Sequence, residues 1–231
     1  MIIKAQNICK SFSNKVENAN AKNVNEVLKN ISIEIEKGKI TTIMGASGVG
    51  KSTLLYILGT LEMPDSGTIS LNANEKTYDY SNLTEKELAF IRNKHIGFIF
   101  QFHHLLPEFS VLENIMMPGL ILGDSTKNVE SKALELMQKI GIEKIKNQKP
   151  AEISGGEQQR AAIARALVNS PDIIFADEPT GNLDSKNANI FVELIKEINH
   201  SMNISFVIAT HSNDIAVQSD RIIKMQDGKI I

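Results

Sequence analysis

Ile40-Thr-Thr-Ile-Met44-Gly45-Ala46-Ser47-Gly48-Val49-Gly50-Lys51-Ser52-Thr53-Leu54-Leu55 is the stretch that decides the fold. An apolar run gives way to glycines at 45, 48 and 50, then to a run suited to a helix. Residues 45–52 match the phosphate-loop pattern G-x-x-x-x-G-K-[ST] in full, and a strand before and a helix after are the context its mechanism needs. The glycines let the backbone turn so that successive N–H groups point at anionic oxygens. The helix N-terminus adds partial positive charge. The loop residues expected to hold a nucleotide are Gly45, Ala46, Ser47, Gly48, Val49, Gly50, Lys51, Ser52 and Thr53. Lys51 is placed to reach the β- and γ-phosphates, and the Ser52 hydroxyl to bind Mg²⁺.

Outward from this loop the chain alternates. Apolar, β-rich runs predict strands near 2–8, 28–35, 39–44, 67–72, 96–100, 172–176, 204–209 and 221–225. Helical patterns fall at 51–59, 84–93, 127–140, 155–168 and 185–199, so the middle of the chain is mostly helical. Thr84 with Glu87 forms a capping-box signature for the second helix. Runs 40–44 and 172–176 lack clean alternation, which suits strands buried on both faces; with helices between them they predict an α/β core around a parallel sheet. The polar, asparagine-rich residues 13–26 read as an exposed loop between the first two strands.

A second set of residues completes the chemistry. Ile173-Ile174-Phe175-Ala176-Asp177-Glu178 is an apolar strand ending in two carboxylates. Beside a phosphate loop, Asp177 is suited to the Mg²⁺ shell and Glu178 to polarising an attacking water as general base. Ser154-Gly155-Gly156-Glu157-Gln158-Gln159-Arg160 opens an alanine-rich helix, giving a second N-terminus suited to an anion.

Composition narrows the alternatives. The 231 residues carry a net charge of −2, without the global basic field that nucleic-acid binding usually shows. The single cysteine, Cys9, lies in an apolar first strand and reads as a small buried packing residue in a reducing compartment. The N-terminus shows no signal-peptide pattern. No apolar run approaches the roughly 18 residues of a membrane span, since Ile115–Leu122 is broken by Pro118 and Gly119. His103 and His104 lack a third ligand nearby and read as loop residues, so no metal is assigned to them.

Taken together, residues 45–52, 153–157 and 176–184 resemble the ATP-binding subunits of ABC transporters, and the resemblance covers essentially the whole chain. Ile153-Ser-Gly-Gly-Glu157 is similar to the family's L-S-G-G-Q signature, with Ile for Leu and Glu for Gln. The resemblance implies a phosphate-loop, RecA-like ATPase core at 1–83 and 169–231, with an inserted helical subdomain at 84–168 that carries the signature. It implies Phe12 as the adenine platform and Gln101 as a contact to Mg²⁺ and the attacking water. It also implies that Leu183 and Asp184 cross to a second subunit and that His211 contacts the γ-phosphate. Ser154, Gly155, Gly156 and Glu157 would meet the ATP held by another copy's Lys51, making an ATP-sandwiched homodimer. A separate transmembrane permease would dock on the helical lobe near 102–109, placing the chain on the cytoplasmic face of a bacterial inner membrane. Neither nucleic acid nor the transported substrate would touch it. Residues 102–118 resemble the lipoprotein-releasing branch of the family most; macrolide-export and cell-division branches share the catalytic residues. A DNA-repair-type ATPase would need long insertions, and a small-molecule kinase has no use for Ser154-Gly155-Gly156.

Overall fold

The computed structural model describes residues 1–14, 23–181 and 183–231. Two sheets make its α/β core. The larger is six-stranded in the order β10-β9-β3-β8-β7-β6. It is built from β3 (Ile40–Met44), β6 (Ile96–Phe100), β7 (Ile173–Asp177), β8 (Ser205–Thr210), β9 (Arg221–Gln226) and β10 (Lys229–Ile230). All its ladders are parallel except β10 on β9. As their unbroken apolar runs predict, β7 and β8 are buried at every position.

The smaller sheet is antiparallel, in the order β2-β1-β4-β5, from β1 (Ile3–Asn14), β2 (Asn23–Ile35), β4 (Ser66–Ala73) and β5 (Lys76–Asp79). Here the reading of 13–26 as loop needs correction. Phe12 pairs with Asn25 and Ser13 with Val24, so strand continues into the polar stretch from both sides and only 15–22 lie outside the described residues. A ladder is made by backbone groups, and a two-stranded extension in solvent tolerates polar side chains. Cys9 is half-buried rather than buried, and its Sγ accepts the Asn30 N–H at 3.3 Å.

Helix α1 (Lys51–Leu58) packs Leu54, Leu55, Ile57 and Leu58 between the sheets, where they meet Ile43, Phe175 and Val207 of one and Ile3, Leu28 and Leu71 of the other. Strand alternation sends Ile174, Ala176, Phe206 and Ile208 to the opposite face, against α5 (Gly155–Leu167) and α6 (Ser185–Met202). Helices α3 (Val111–Leu122), α4 (Thr126–Lys139) and α5 share a third core of Val111, Ile115, Val129, Ala133, Met137 and Ala161. Helix α2 (Glu85–His95) starts with the predicted Thr84–Glu87 capping box.

Two features depart from the sequence pattern. Strand β6 falls within 84–168 yet forms an edge of the parallel sheet, pairing Phe100 with Asp177. The apolar run around Pro118 is α3, which carries that proline inside it and starts with a Ser110–Glu113 capping box. Among the described residues no helix is long and apolar enough to cross a membrane.

Candidate nucleotide-binding and hydrolysis site

The parallel sheet delivers four strand ends to one rim: β3 enters the phosphate loop, β7 ends on Asp177, β8 on Thr210, and β6 on Phe100 with Gln101 next. Carboxyl ends of parallel strands are where open α/β sheets place ligands. In the loop, Gly48 and Gly50 take φ of 81° and 101°. A Cβ on Gly45 would lie 2.4 Å from the Met225 carbonyl oxygen, so only glycine fits against β9.

Lys51 is buried, and its Nζ donates to the carbonyls of Gly45 and Ala46 at 2.9 and 3.0 Å while lying 3.4 Å from Glu178 Oε1. The loop therefore wraps its own cation. Ser52 Oγ donates to Asp177 Oδ1 at 2.8 Å, and the Tyr56 hydroxyl donates to Oδ2 at 2.7 Å. Burial, together with the Asp177 carboxylate, pushes the Tyr56 phenol well above its usual range, which keeps it a donor.

Glu178 follows with a left-handed φ of 42°, its N–H donating to Ala209 O at 2.9 Å. That bend turns its carboxylate across the ends of β7 and β8. Oε2 accepts from Thr210 Oγ1 at 3.2 Å and lies 3.0 Å from His211 Nδ1. A carboxylate only accepts, so this contact puts the imidazole proton on Nδ1. Gln101 lies beside Gly181, where a Cβ would come within 2.7 Å of its Nε2.

The structure thus gathers Lys51, Ser52, Asp177, Glu178 and His211 into one cluster. The sequence reading omitted Tyr56 and Thr210. Tyr56 stands four residues after Ser52, on the same face of α1; Thr210 precedes His211, and nothing local marks it.

Three predicted parts stand elsewhere. Phe12 is half-exposed on β1, with Lys10 Nζ 5.2 Å from its ring centre and Lys10 itself held by Glu62 at 2.7 Å. Its partner strand β2 also supplies Val27 and Leu28, against which Gly50 packs. Ser154 caps α5: its Oγ accepts the Glu157 N–H, while its own N–H and hydroxyl donate to Glu157 Oε2 at 2.8 and 2.6 Å. These bonds hold the Glu157 carboxyl below the usual range. Among the described residues no hydrogen bond or ion pair joins 154–157 to the phosphate loop. Asp184 caps α6 through the Asn187 N–H at 2.8 Å, Leu183 packs on the neighbouring core, and Asn182 lies outside the described residues.

The donor set fits Mg²⁺. Ser52 Oγ and Asp177 Oδ1 are hard oxygens already in contact, and Mg²⁺ at phosphates characteristically takes one or two protein oxygens rather than a full protein cage.

Residues 28–181 match the ABC transporter family. The chain belongs to that family. It is 48% identical over 206 residues (89% of this chain, 94% of the relative) to the lipoprotein-releasing system ATP-binding protein LolD of Bacteroides fragilis. It is 43% identical to LolD of Legionella pneumophila, covering 100% of this chain and 97% of the relative. A dimeric ATP-binding cassette in a post-hydrolysis state, bound to ADP and Pi, superposes with a TM-score of 0.86 at 36% identity, over 99% of this chain and 96% of that one. A cassette from Clostridium perfringens, part of an ABC transporter complex, superposes with a TM-score of 0.81 at 28% identity, over 100% and 86%. This ABC subunit is accordingly an ATP-binding and ATP-hydrolysing protein with the phosphate-loop ABC ATPase fold.

Proposed function

We propose that this subunit hydrolyses ATP on the cytoplasmic face of a bacterial inner membrane to release lipoproteins through a separate membrane-spanning partner. The observation that carries the cargo assignment is the likeness to LolD proteins across nearly the entire chain. Residues 1–83 and 169–231, joined by β6, act as the nucleotide-binding core, and the rest of 84–168 is the lobe that bears the signature and docks on the permease near 102–109.

The chain's own residues divide the work. Backbone N–H groups of 45–53 and the Lys51 ammonium hold the phosphates, and Phe12 offers its exposed ring to adenine. Ser52 and Asp177, with Gln101, would hold Mg²⁺, which when bound neutralises charge on the β- and γ-oxygens. Glu178 accepts a proton from the attacking water as that water's oxygen bonds to the γ-phosphorus and the bond to the ADP oxygen breaks. His211 steadies the Glu178 carboxylate through Nδ1 and leaves Nε2 for the phosphate side. Ser154, Gly155, Gly156 and Glu157 of a second copy close over the same ATP, with Leu183 and Asp184 crossing beside them.

The test is ATP-dependent release of a labelled lipoprotein from membranes holding this subunit and its candidate permease. Release that stops with Glu178→Gln, whose turnover should fall roughly 100- to 10,000-fold, supports both engine and cargo. ATP hydrolysis with no release would retain the engine and reject the lipoprotein assignment.

A further inference from the structure

Gln101 sits at a junction. On one side the β6 ladder fixes it through Phe100, which pairs with Asp177. On the other side the chain passes through Phe102, then His103 and His104, both left-handed with φ of 52° and 47°. Two successive non-glycine residues seldom adopt this conformation unless something holds them.

The holding group is Arg165. Its Nη1 donates to His104 O at 2.5 Å and its Nη2 to His103 O at 2.6 Å. A left-handed pair presents two neighbouring carbonyls, and a planar guanidinium is the side chain that can fork onto both. Burial lowers the Arg165 pKa, and no ion pair joins it to a carboxylate among the described residues. The half-buried guanidinium is held instead by the two carbonyls it donates to. The His103 ring is itself buried, on the side of Gln158 and Gln159 in α5. Further along, Asn114 of α3 ties down the same loop, accepting the Leu106 N–H at 2.7 Å and donating to the carbonyls of Leu106, Phe109 and Ser110.

Arg165 lies about three turns along α5 from Ser154. One rigid helix thus carries the signature residues at its start and, near its end, grips His103 and His104, the second and third residues beyond Gln101. We propose that Arg165 is a positioning residue for ATP hydrolysis, binding the Gln101 loop to the signature helix so that both are presented to nucleotide as one body. The proposal rests on the ATPase reading and not on the identity of the cargo.

The experiment uses the full chain with Mg-ATP. Arg165→Lys keeps the charge but loses the fork, and Arg165→Met keeps the length alone. Both should lower kcat at least about tenfold while nucleotide affinity, set by the phosphate loop, stays within about twofold. In a Gln101→Ala background the Arg165 change should add almost nothing, because it acts through Gln101. His104→Pro, which cannot adopt the left-handed turn, should reproduce the loss even if the Arg165 variants fail to fold. Amide exchange provides a readout independent of turnover: protection should fall at both 101–106 and 154–158. Unchanged kcat in folded Arg165→Lys and His104→Pro, a loss additive with Gln101→Ala, or exchange confined to 101–106 would overturn the proposal. Wild-type chain that turns over no ATP would fail the ATPase reading instead, and the exchange measurement alone would then decide whether Arg165 ties 101–106 to 154–158.

Discussion

Glu157 departs from the family's usual glutamine, and its carboxylate sets the state of the signature serine. As a carboxylate it accepts a hydrogen bond from the Ser154 hydroxyl at 2.6 Å, and it places a negative charge where the proposed dimer brings in a phosphate. Glu157→Gln preserves the cap geometry and removes that charge. In a Glu178→Gln background, light scattering should then detect the ATP-driven dimer at lower ATP; a dimer needing more ATP would show that the carboxylate helps closure. The same residue gives a pH signature. Its folded pKa lies below the ordinary 4.5, so its stabilisation is fully present above that value and is lost as pH falls through the folded value. The acid side of a thermal-stability profile should therefore be flatter in Glu157→Gln, by a small amount because solvent screens the partly exposed group.

The elements show where geometry outruns side-chain chemistry. Gly59 ends α1 against Phe98, and a Cβ there would lie 2.1 Å from the ring's Cζ. That ring is stacked on both Phe100 and Phe175 with centres 5.6 Å apart in each pair, so it has little room to yield. Gly59→Ala should cost about 1–3 kcal/mol by overpacking, and an unshifted melting temperature would show that the stack gives way. Such elements differ in how far the sequence reveals them. The phosphate loop and the Asp177–Glu178 strand end are legible because their chemistry is consecutive in the chain. Helix α3 has the same S-x-x-E start as α5, but Pro118 obscures it; the structure keeps the helix because Val111, Ile115 and Met116 are buried. The polar ends of β1 and β2 are not legible, since their ladder is written in backbone groups. Thr210 and Arg165 are invisible for a related reason: each matters through a partner on a different element.

At the scale of the molecule, the helical lobe has its own core, separate from the two that flank the parallel sheet. Met137 is fully buried in that third core. Met137→Ala should cost about 2–5 kcal/mol, lower protection in α3, α4 and α5 first, and leave nucleotide affinity at the phosphate loop nearly intact. A parallel loss of affinity would mean that lobe and core unfold as one cooperative unit. The chain as a whole is also optically sparse, with no tryptophan and three tyrosines. Tyr80 is buried with its hydroxyl on the Leu58 carbonyl, and Tyr78 lies beneath Lys76. Tyr56 is bonded to Asp177, a carboxylate that should damp its emission and that Mg²⁺ and nucleotide would draw away. The protein thereby contains an unlabelled fluorophore beside the proposed Mg²⁺ site, and its brightening on adding Mg-nucleotide, absent in Tyr56→Phe, would follow loading of the site in real time.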